Sequence, residues 1–177
     1  MSFYRSIYGR IFGVDPTNGD LFSGVGEDST VPLLRGTTNR VVTIATSTTL
    51  TRDSHAGKLI RLSLAAGPAI VLPAATGTGD EYSFTLGTSL SGTCTIKVAS
   101  TSDTLRGHVQ VDASLASNAP VSFTAGTTAD TISLNGTTTG GKLGDYFKFI
   151  DEKTGVWHVE GFIRATGASA TPFVVSV

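Results

Sequence analysis

A glycine-rich stretch at residues 136–143, G-T-T-T-G-G-K-L, differs at one position from a loop that binds nucleotide phosphates. In such a loop, backbone N–H groups at the start of a helix hold the phosphates, and the lysine contacts them. A Ser or Thr hydroxyl after the lysine binds Mg²⁺, and an acidic residue after a strand, comparable to Asp151 or Glu152 here, helps to hold the metal. These residue types would suit phosphoryl transfer.

The elements around this stretch do not fit a phosphate loop. Leu143 follows the lysine and has no hydroxyl. The next hydrophobic segment, Y-F-K-F-I at 146–150, is aromatic and β-branched, which favours a strand over a helix. The acidic strand begins only three residues after Lys142, whereas a parallel strand pair needs a dozen or more connecting residues. We therefore predict a Gly/Thr-rich hairpin loop between strands at 130–134 and 145–150.

The histidines and the cysteine also predict no reactive site. The chain has three histidines, which share no metal-ligand spacing with one another or with the cysteine: His55, His108 and His158. In the segment W-H-V-E at 157–160, strand alternation buries the Trp and Val and turns His158 and Glu160 outward. Cys94 shares a strand face with Ile96 and Val98, so we expect a buried and inert thiol.

Two further enzyme signatures are incomplete. G-T-S-L-S-G at 87–92 lacks the final glycine of a nucleophile elbow and lies between two predicted strands. The acidic pairs at 80–81 and 151–152 flank predicted turns, although carboxylates for glycoside hydrolysis need only meet in space, which spacing along the chain leaves open. We predict that the protein is not an enzyme and has no catalytic residue, no cofactor and no metal ion.

The composition is typical of a turn-rich all-β protein. The 177-residue chain is 40% hydrophobic and only 15% charged, and Gly, Ser and Thr make up the difference. A net charge of −1 argues against nucleic-acid binding, and a single cysteine excludes an internal disulfide framework. The sequence has neither an apolar run that would cross a bilayer nor a secretory signal core, so we expect no membrane role and no export by the general secretory route.

Two parts of the chain differ in pattern. Residues 1–38 read as an extended N-terminal arm. Its first apolar residues follow helical spacing, which favours a short helix: Phe3, Tyr4, Ile7, Tyr8, Ile11 and Phe12. Residues 39–177 alternate with period two between turn signals, so that Tyr82, Phe84 and Leu86 point one way. We predict an all-β, β-sandwich or jelly-roll-like domain of many short antiparallel strands, without a strict internal repeat.

This β domain resembles the capsid decoration proteins, also called cement or head-stabilising proteins, of tailed bacteriophages. The resemblance covers about residues 40–175 and is most specific in five segments: H-A-G-K at 55–58, L-P-A-A-T-G-T-G at 72–79, T-I-K-V-A-S at 95–100, D-T-I-S-L-N-G-T-T-T-G-G at 130–141 and G-V-W-H-V-E-G at 155–161. The segment Y-G-R-I-F-G-V-D-P-T-N-G-D-L at 8–21 is similar to an N-terminal arm of such proteins. The resemblance implies binding to the major capsid protein on the exterior of the icosahedral head, often as a homotrimer, in a virion assembled in the host cytoplasm.

We expect the N-terminal arm to carry much of the attachment to the head. Aromatic residues and arginine dominate interface energies, and the arm concentrates both near its start: Phe3, Tyr4, Arg5, Tyr8, Arg10 and Phe12. Alternatively, the arm packs on its own domain as an edge strand. A head- or tail-fibre-associated virion protein with a receptor-binding β domain is the second functional class, and a β-sandwich hydrolase or sugar-binding enzyme is the third.

Overall fold

The computed structural model describes four short N-terminal strands by their backbone and residues 40–113 and 119–177 in full. The chain divides into two compact units, Met1–Arg40 and Val41–Val177. Both units are built from strands, and the one helix of the described residues, α1 (Arg52–His55), makes a single turn. The protein is therefore all-β, as its composition predicts.

The first unit contains a four-stranded antiparallel sheet. Its strands are β1 (Ser2–Arg5), β2 (Ile11–Val14), β3 (Leu21–Gly24) and β4 (Pro32–Leu34), in the order β1-β2-β3-β4. The short helix predicted at the start of the chain is therefore wrong. Aromatic and β-branched residues favour strands, and pairing between neighbouring segments satisfies their backbone groups, which outweighs the helical spacing.

The second unit contains two mixed sheets. Its described strands are β5 (Val41–Ile44), β6 (Thr48–Thr49), β7 (Leu59–Leu62), β8 (Ala69–Val71), β9 (Glu81–Leu86), β10 (Cys94–Lys97), β11 (Thr104–Ala113), β12 (Val121–Thr124), β13 (Thr131–Leu134), β14 (Tyr146–Lys153), β15 (Val156–Ala165) and β16 (Phe173–Val174). The larger sheet has seven strands in the order β12-β11-β15-β14-β9-β7-β5, and the smaller has five in the order β16-β13-β10-β8-β6.

Successive strands from β5 to β10 alternate between the two sheets. β5, β7 and β9 are parallel neighbours in the seven-stranded sheet, and β6, β8 and β10 are parallel neighbours in the five-stranded sheet. The prediction of antiparallel strands is wrong for these pairs and for β11 with β15, whereas it is confirmed for β14 with β9 and with β15. Alternation of side chains fixes which face of a strand is buried, but it does not fix the direction of the neighbouring strand. Each parallel connection from β5 to β10 crosses to the opposite sheet and back, where other folds use a helix.

The inner faces of both sheets contribute to one hydrophobic core. Tyr82, Phe84 and Leu86 are 2% exposed or less, which confirms their predicted facing. Tyr82 packs edge-to-face on Trp157, and Phe84 packs in the same way on Phe149, each with 5.5 Å between ring centroids. Burial of one large apolar side chain stabilises a fold by about 1.5–3 kcal/mol, so these rings of β9, β14 and β15 make a large contribution.

The chain passes through both sheets several times, and the loops of successive passes approach each other closely. Ser91 N and Gly92 N both donate to Ala65 O, at 2.7 and 3.2 Å, so the loop before β10 lies on the loop before β8. At Gly67, φ is 87° and an added Cβ would overlap the backbone oxygen of Thr93. Glycine is required at this position both for its conformation and for the short distance between the loops.

Substituting Gly67 with alanine tests this stacking, with Gly57→Ala as the matched control. Both glycines have a positive φ, 87° and 68°, but an added Cβ at Gly57 has no neighbour within 4 Å. We expect Gly57→Ala to cost about 1–2 kcal/mol through left-handed strain alone. Gly67→Ala should cost about 1–3 kcal/mol more, because the two loops must separate. Chemical denaturation measures both costs, and equal values for the two variants would contradict the stacking.

Candidate functional site

The loop at residues 135–145 connects β13 to β14. These strands lie in different sheets, so the hairpin prediction is wrong and the loop crosses from the five-stranded to the seven-stranded sheet. Turn residues signal a change of direction, but they do not specify which sheet the next strand joins. After Lys142 the chain makes a turn and enters β14, where a phosphate loop would require the start of a helix.

The backbone N–H groups of this loop bind a carboxylate of the same chain. Gly141 N and Lys142 N donate to Asp145 Oδ2, at 2.8 and 2.9 Å. Arg164 N donates to Asp145 Oδ1 at 3.1 Å, and the guanidinium Nε of Arg164 lies 3.7 Å from that oxygen. Burial raises the pKa of Asp145 above its usual value, against the lowering effect of these hydrogen bonds. The N–H groups that would hold a phosphate in a nucleotide site therefore hold the buried Asp145 side chain.

Asp151 is enclosed in the same way by residues that are distant in sequence. Thr76 N donates to both carboxylate oxygens at 3.0 and 3.2 Å, and Gly77 N donates to Oδ1 at 2.7 Å. Thr78 N and Thr78 Oγ1 donate to Oδ2 at 3.1 and 2.9 Å. Burial by itself would raise the pKa of Asp151, but the hydrogen bonds from Gly77, Thr78 and Thr76 outweigh it, and the net pKa lies below its usual value. Asp151, which in the sequence is comparable to a metal-binding acid, thus accepts hydrogen bonds from the protein itself.

Two further buried aspartates fasten chain segments to the sheets. Asp103 Oδ2 accepts a hydrogen bond from Ala75 N at 3.2 Å. Asp130 accepts from Ser176 N at 2.8 Å and from Val177 N at 3.2 Å, which ties this C-terminal segment to the start of β13. All four buried aspartates of the described residues are thus engaged in structural hydrogen bonds. Sequence reasoning missed these roles, because most of the partners lie far away along the chain.

The predicted facing of the segment at 157–160 is confirmed. Trp157 and Val159 are buried, whereas His158 is half-buried and Glu160 is exposed. Cys94 is buried as predicted, and burial raises the pKa of its thiol to about 12. Among the described residues, no group of three His, Cys, Asp or Glu side chains is arranged to hold a metal ion.

The predicted attachment residues fall in part on the first two strands. Phe3, Tyr4 and Arg5 lie on β1, and Phe12 lies on β2, where it is the register partner of Tyr4. The structure thus brings four of the six residues onto adjacent strands. The other two lie outside the described residues: Tyr8 and Arg10.

The seven-stranded sheet carries an exposed aromatic pair on the face turned away from the core, which we call the outer face. Tyr146 of β14 and Phe162 of β15 are register partners and are 39% and 45% exposed. Tyr146 Oη lies 3.3 Å from Ser83 Oγ on β9. Sequence reasoning missed this pair, although the alternation that buries Phe147 and Phe149 already turns Tyr146 outward. Exposed aromatic side chains of this size suit contact with another surface.

No family model matches the chain, and no curated protein sequence matches it. No helix within the described ranges is long and apolar enough to cross a membrane. The candidate binding regions are the two strands that carry four of the predicted attachment residues and the outer face of the second unit.

Replacing Asp151 with asparagine tests whether this carboxylate is structural. At neutral pH we expect Asp151→Asn to lower the free energy of unfolding by about 1–3 kcal/mol, because an amide nitrogen would face donors that now bind an oxygen. Glu152→Gln is the matched control, since Glu152 is the exposed neighbour. Urea denaturation of both variants measures the two effects, and the control should change stability by less than about 0.5 kcal/mol.

The pH dependence of the same variants separates a charge effect from a packing effect. The pKa of Asp151 is lower in the folded protein, so its contribution is present above the unfolded value of about 3.9 and is lost as pH falls through the folded value. The stability difference between the natural protein and Asp151→Asn should therefore shrink below about pH 4. A difference that stays constant across this range would show that the charge of Asp151 contributes nothing.

Proposed function

We propose that this protein is a capsid decoration protein of a tailed bacteriophage, which binds the outer surface of the icosahedral head and stabilises it. The observation that carries the proposal is a contrast between the two units. In the described part of the second unit, each buried aspartate is engaged within the fold, whereas the small first unit concentrates aromatic residues and arginine near its start. Such a distribution suits binding to another protein better than it suits catalysis.

The rigidity of the second unit supports the proposal, because its loops are fixed by hydrogen bonds to buried aspartates. Its two sheets share one core, and we propose that they pack face to face as a β-sandwich. Asp151 and Asp145 fix the loops at 76–78 and 141–142 through several hydrogen bonds each. Close-packed interiors have low compressibility, so a protein of this kind can reinforce a shell without deforming.

We propose that the first unit attaches the protein to the major capsid protein. Aromatic residues and arginine are enriched at the centres of protein interfaces, and the sequence places six of them between residues 3 and 12. β1 and β4 are the edge strands of their sheet, and an edge strand can pair with a strand of another protein. On the head, we propose, the chain is arranged as a homotrimer, as the family resemblance implies.

A second candidate function is that of a head- or tail-fibre-associated virion protein whose β domain binds a host receptor. The exposed pair Tyr146 and Phe162 favours this candidate, because it lies on the second unit and not on the first. The first unit would then connect the protein to the virion, and the outer face would contact the host.

Deleting residues 1–36 tests the attachment. We expect the remaining protein to be soluble and to unfold cooperatively within a few degrees of the full chain, because the second unit has a hydrophobic core of its own. Its binding to capsids that lack the protein should fall at least about tenfold, since each lost interface hot spot costs about 2 kcal/mol or more. Calorimetry measures the melt, and co-sedimentation with capsids measures the binding.

A full-length variant that combines Arg5→Ala and Arg10→Ala is the milder control for this deletion. It should weaken capsid binding and leave the melting temperature unchanged. If the truncated protein aggregates or melts far lower than the full chain, the first unit belongs to the fold of the second. Full occupancy of capsids by the truncated protein would place the attachment in the second unit and contradict the proposal.

A further inference from the structure

The outer face carries opposite charges on the two sides of its aromatic pair. On β15, Glu160 and Arg164 lie two residues on either side of Phe162, so strand alternation turns all three to the outer face. All three are exposed, as is Tyr146, the partner of Phe162 on β14. Along β15 the outer face therefore reads acidic, aromatic, basic.

The neighbouring strand β11 carries three polar groups beside those of β15, with its acidic residue at the opposite end. His108 and Asp112 lie two residues on either side of Gln110. The parallel register with β15 gives three partner pairs: His108 with Glu160, Gln110 with Phe162 and Asp112 with Arg164. One side of the aromatic row thus presents His108 and Glu160, and the other side presents Asp112 and Arg164.

We propose that this outer face binds the same face of a second copy of the chain through a two-fold axis. The axis lies between the outer faces of the two copies. It is perpendicular to the strands and runs along the row formed by Tyr146 and Phe162. The rotation stacks β15 antiparallel on the β15 of the second copy, so that each aromatic ring meets its counterpart. It also sets Glu160 opposite Arg164 of the second copy, and His108 opposite Asp112. The same patch is thus complementary to itself, as an isologous interface requires.

The charges and the aromatic row together select this axis over an axis parallel to the strands. A two-fold axis parallel to the strands and running along β15 would set Glu160 opposite Glu160 and Arg164 opposite Arg164 of the second copy. A parallel axis between β11 and β15 would set Glu160 opposite His108, but it would also set Phe162 opposite Gln110, so that the aromatic rings would not meet. Like charges that face each other across an interface are strongly unfavourable, and opposite charges fix the orientation of two partners. The perpendicular axis is therefore the one that the side chains favour.

The two charged groups of β15 are available for such a contact. Lys148, the β14 neighbour of Glu160, pairs with Glu81 at 2.8 Å, and Glu160 makes no salt bridge within the described part of the chain. Arg164 contacts the buried Asp145 through Nε and donates through Nη2 to Leu143 O, yet its side chain is 52% exposed. Asp145 therefore positions the guanidinium on the outer face without enclosing it.

The size of the outer face also fits a stable dimer. Seven strands at the usual spacing span roughly 29 Å, and the eight-residue β14 spans roughly 26 Å. The face therefore offers an area near the roughly 800 Å² that each partner contributes to a standard interface. The two-fold contact does not depend on the proposed role in the virion.

Exchanging the charges of β15 tests the contact in the full chain. Sedimentation over a range of concentrations should show a two-fold assembly of the natural protein, either a dimer or a dimer of trimers. Glu160→Arg and Arg164→Glu should each raise its dissociation constant at least about tenfold, because each variant sets like charges face to face twice. The double variant E160R/R164E should restore the association, since the two exchanged charges again face opposite charges. Because a glutamate at position 164 would lie near the buried Asp145, a thermal melt must first show that the double variant is folded. A folded double variant that associates no better than either single variant would overturn the proposal.

Crosslinking at Phe162 tests the position of the axis independently. The only natural cysteine, Cys94, is 0% exposed, so a thiol introduced by Phe162→Cys dominates labelling of the folded protein. Facing sheets pack about 10 Å apart, which is farther than a disulfide spans, so a short bismaleimide is the appropriate probe. We expect Phe162→Cys to form crosslinked dimers and Ala69→Cys, exposed on the five-stranded sheet, to form none.

A thermal melt close to that of the natural protein shows that Phe162→Cys is folded. If this folded variant yields no crosslinked dimer and the natural protein shows no two-fold assembly at any concentration, the outer face does not bind a second copy and the proposal is wrong. Crosslinking of Ala69→Cys to the same extent as Phe162→Cys would overturn the assigned axis as well.

Discussion

The second unit depends on one constraint, which is that two sheets must bury their apolar faces in a single core. Neither sheet can exclude water from its inner face alone, because a single sheet has no partner surface. The chain meets this requirement by placing successive strands from β5 to β10 in opposite sheets, which brings it across the core repeatedly. Each crossing needs a short loop, and the loops stack closely enough that Gly67 leaves no room for a side chain.

The buried aspartates follow from the same constraint. Loops that run along the edge of a shared core carry N–H groups without strand partners, and these groups must be satisfied within the protein or by water. Asp145 and Asp151 accept hydrogen bonds from such groups. Asp103 accepts one from Ala75 N, in the same loop that Asp151 holds, and Asp130 accepts two from the C-terminal segment. The similarity of residues 136–143 to a phosphate loop therefore has a physical origin: both arrangements present a row of backbone N–H groups to an anion. Here the anion is a side chain of the same protein.

The sequence predicts the facing of strands well, because that property is local. The alternation in E-Y-S-F-T-L buries Tyr82, Phe84 and Leu86, and the alternation in W-H-V-E exposes Glu160, as expected. Strand direction and sheet membership are set by contacts between distant segments, so the parallel pairs and the crossing at 135–145 could not be read from spacing. The contact between Asp151 and the loop at 76–78 joins residues about 75 positions apart and has no local signal. The predicted N-terminal helix failed for a different reason, since spacing of apolar residues competes with strand propensity and with pairing to neighbouring segments.

We propose that the buried polar groups of this protein maintain its fold and that its exposed groups serve for contact with other proteins. The central claim is that this contact covers the outside of a phage head, and copy number tests it most directly. Stained gels of purified virions compare the amount of this chain with that of the major capsid protein. Decoration of the shell predicts hundreds of copies per particle, in a fixed ratio to the major capsid protein. Copy numbers in the tens, as for a fibre, or the absence of the chain from purified virions would contradict the account.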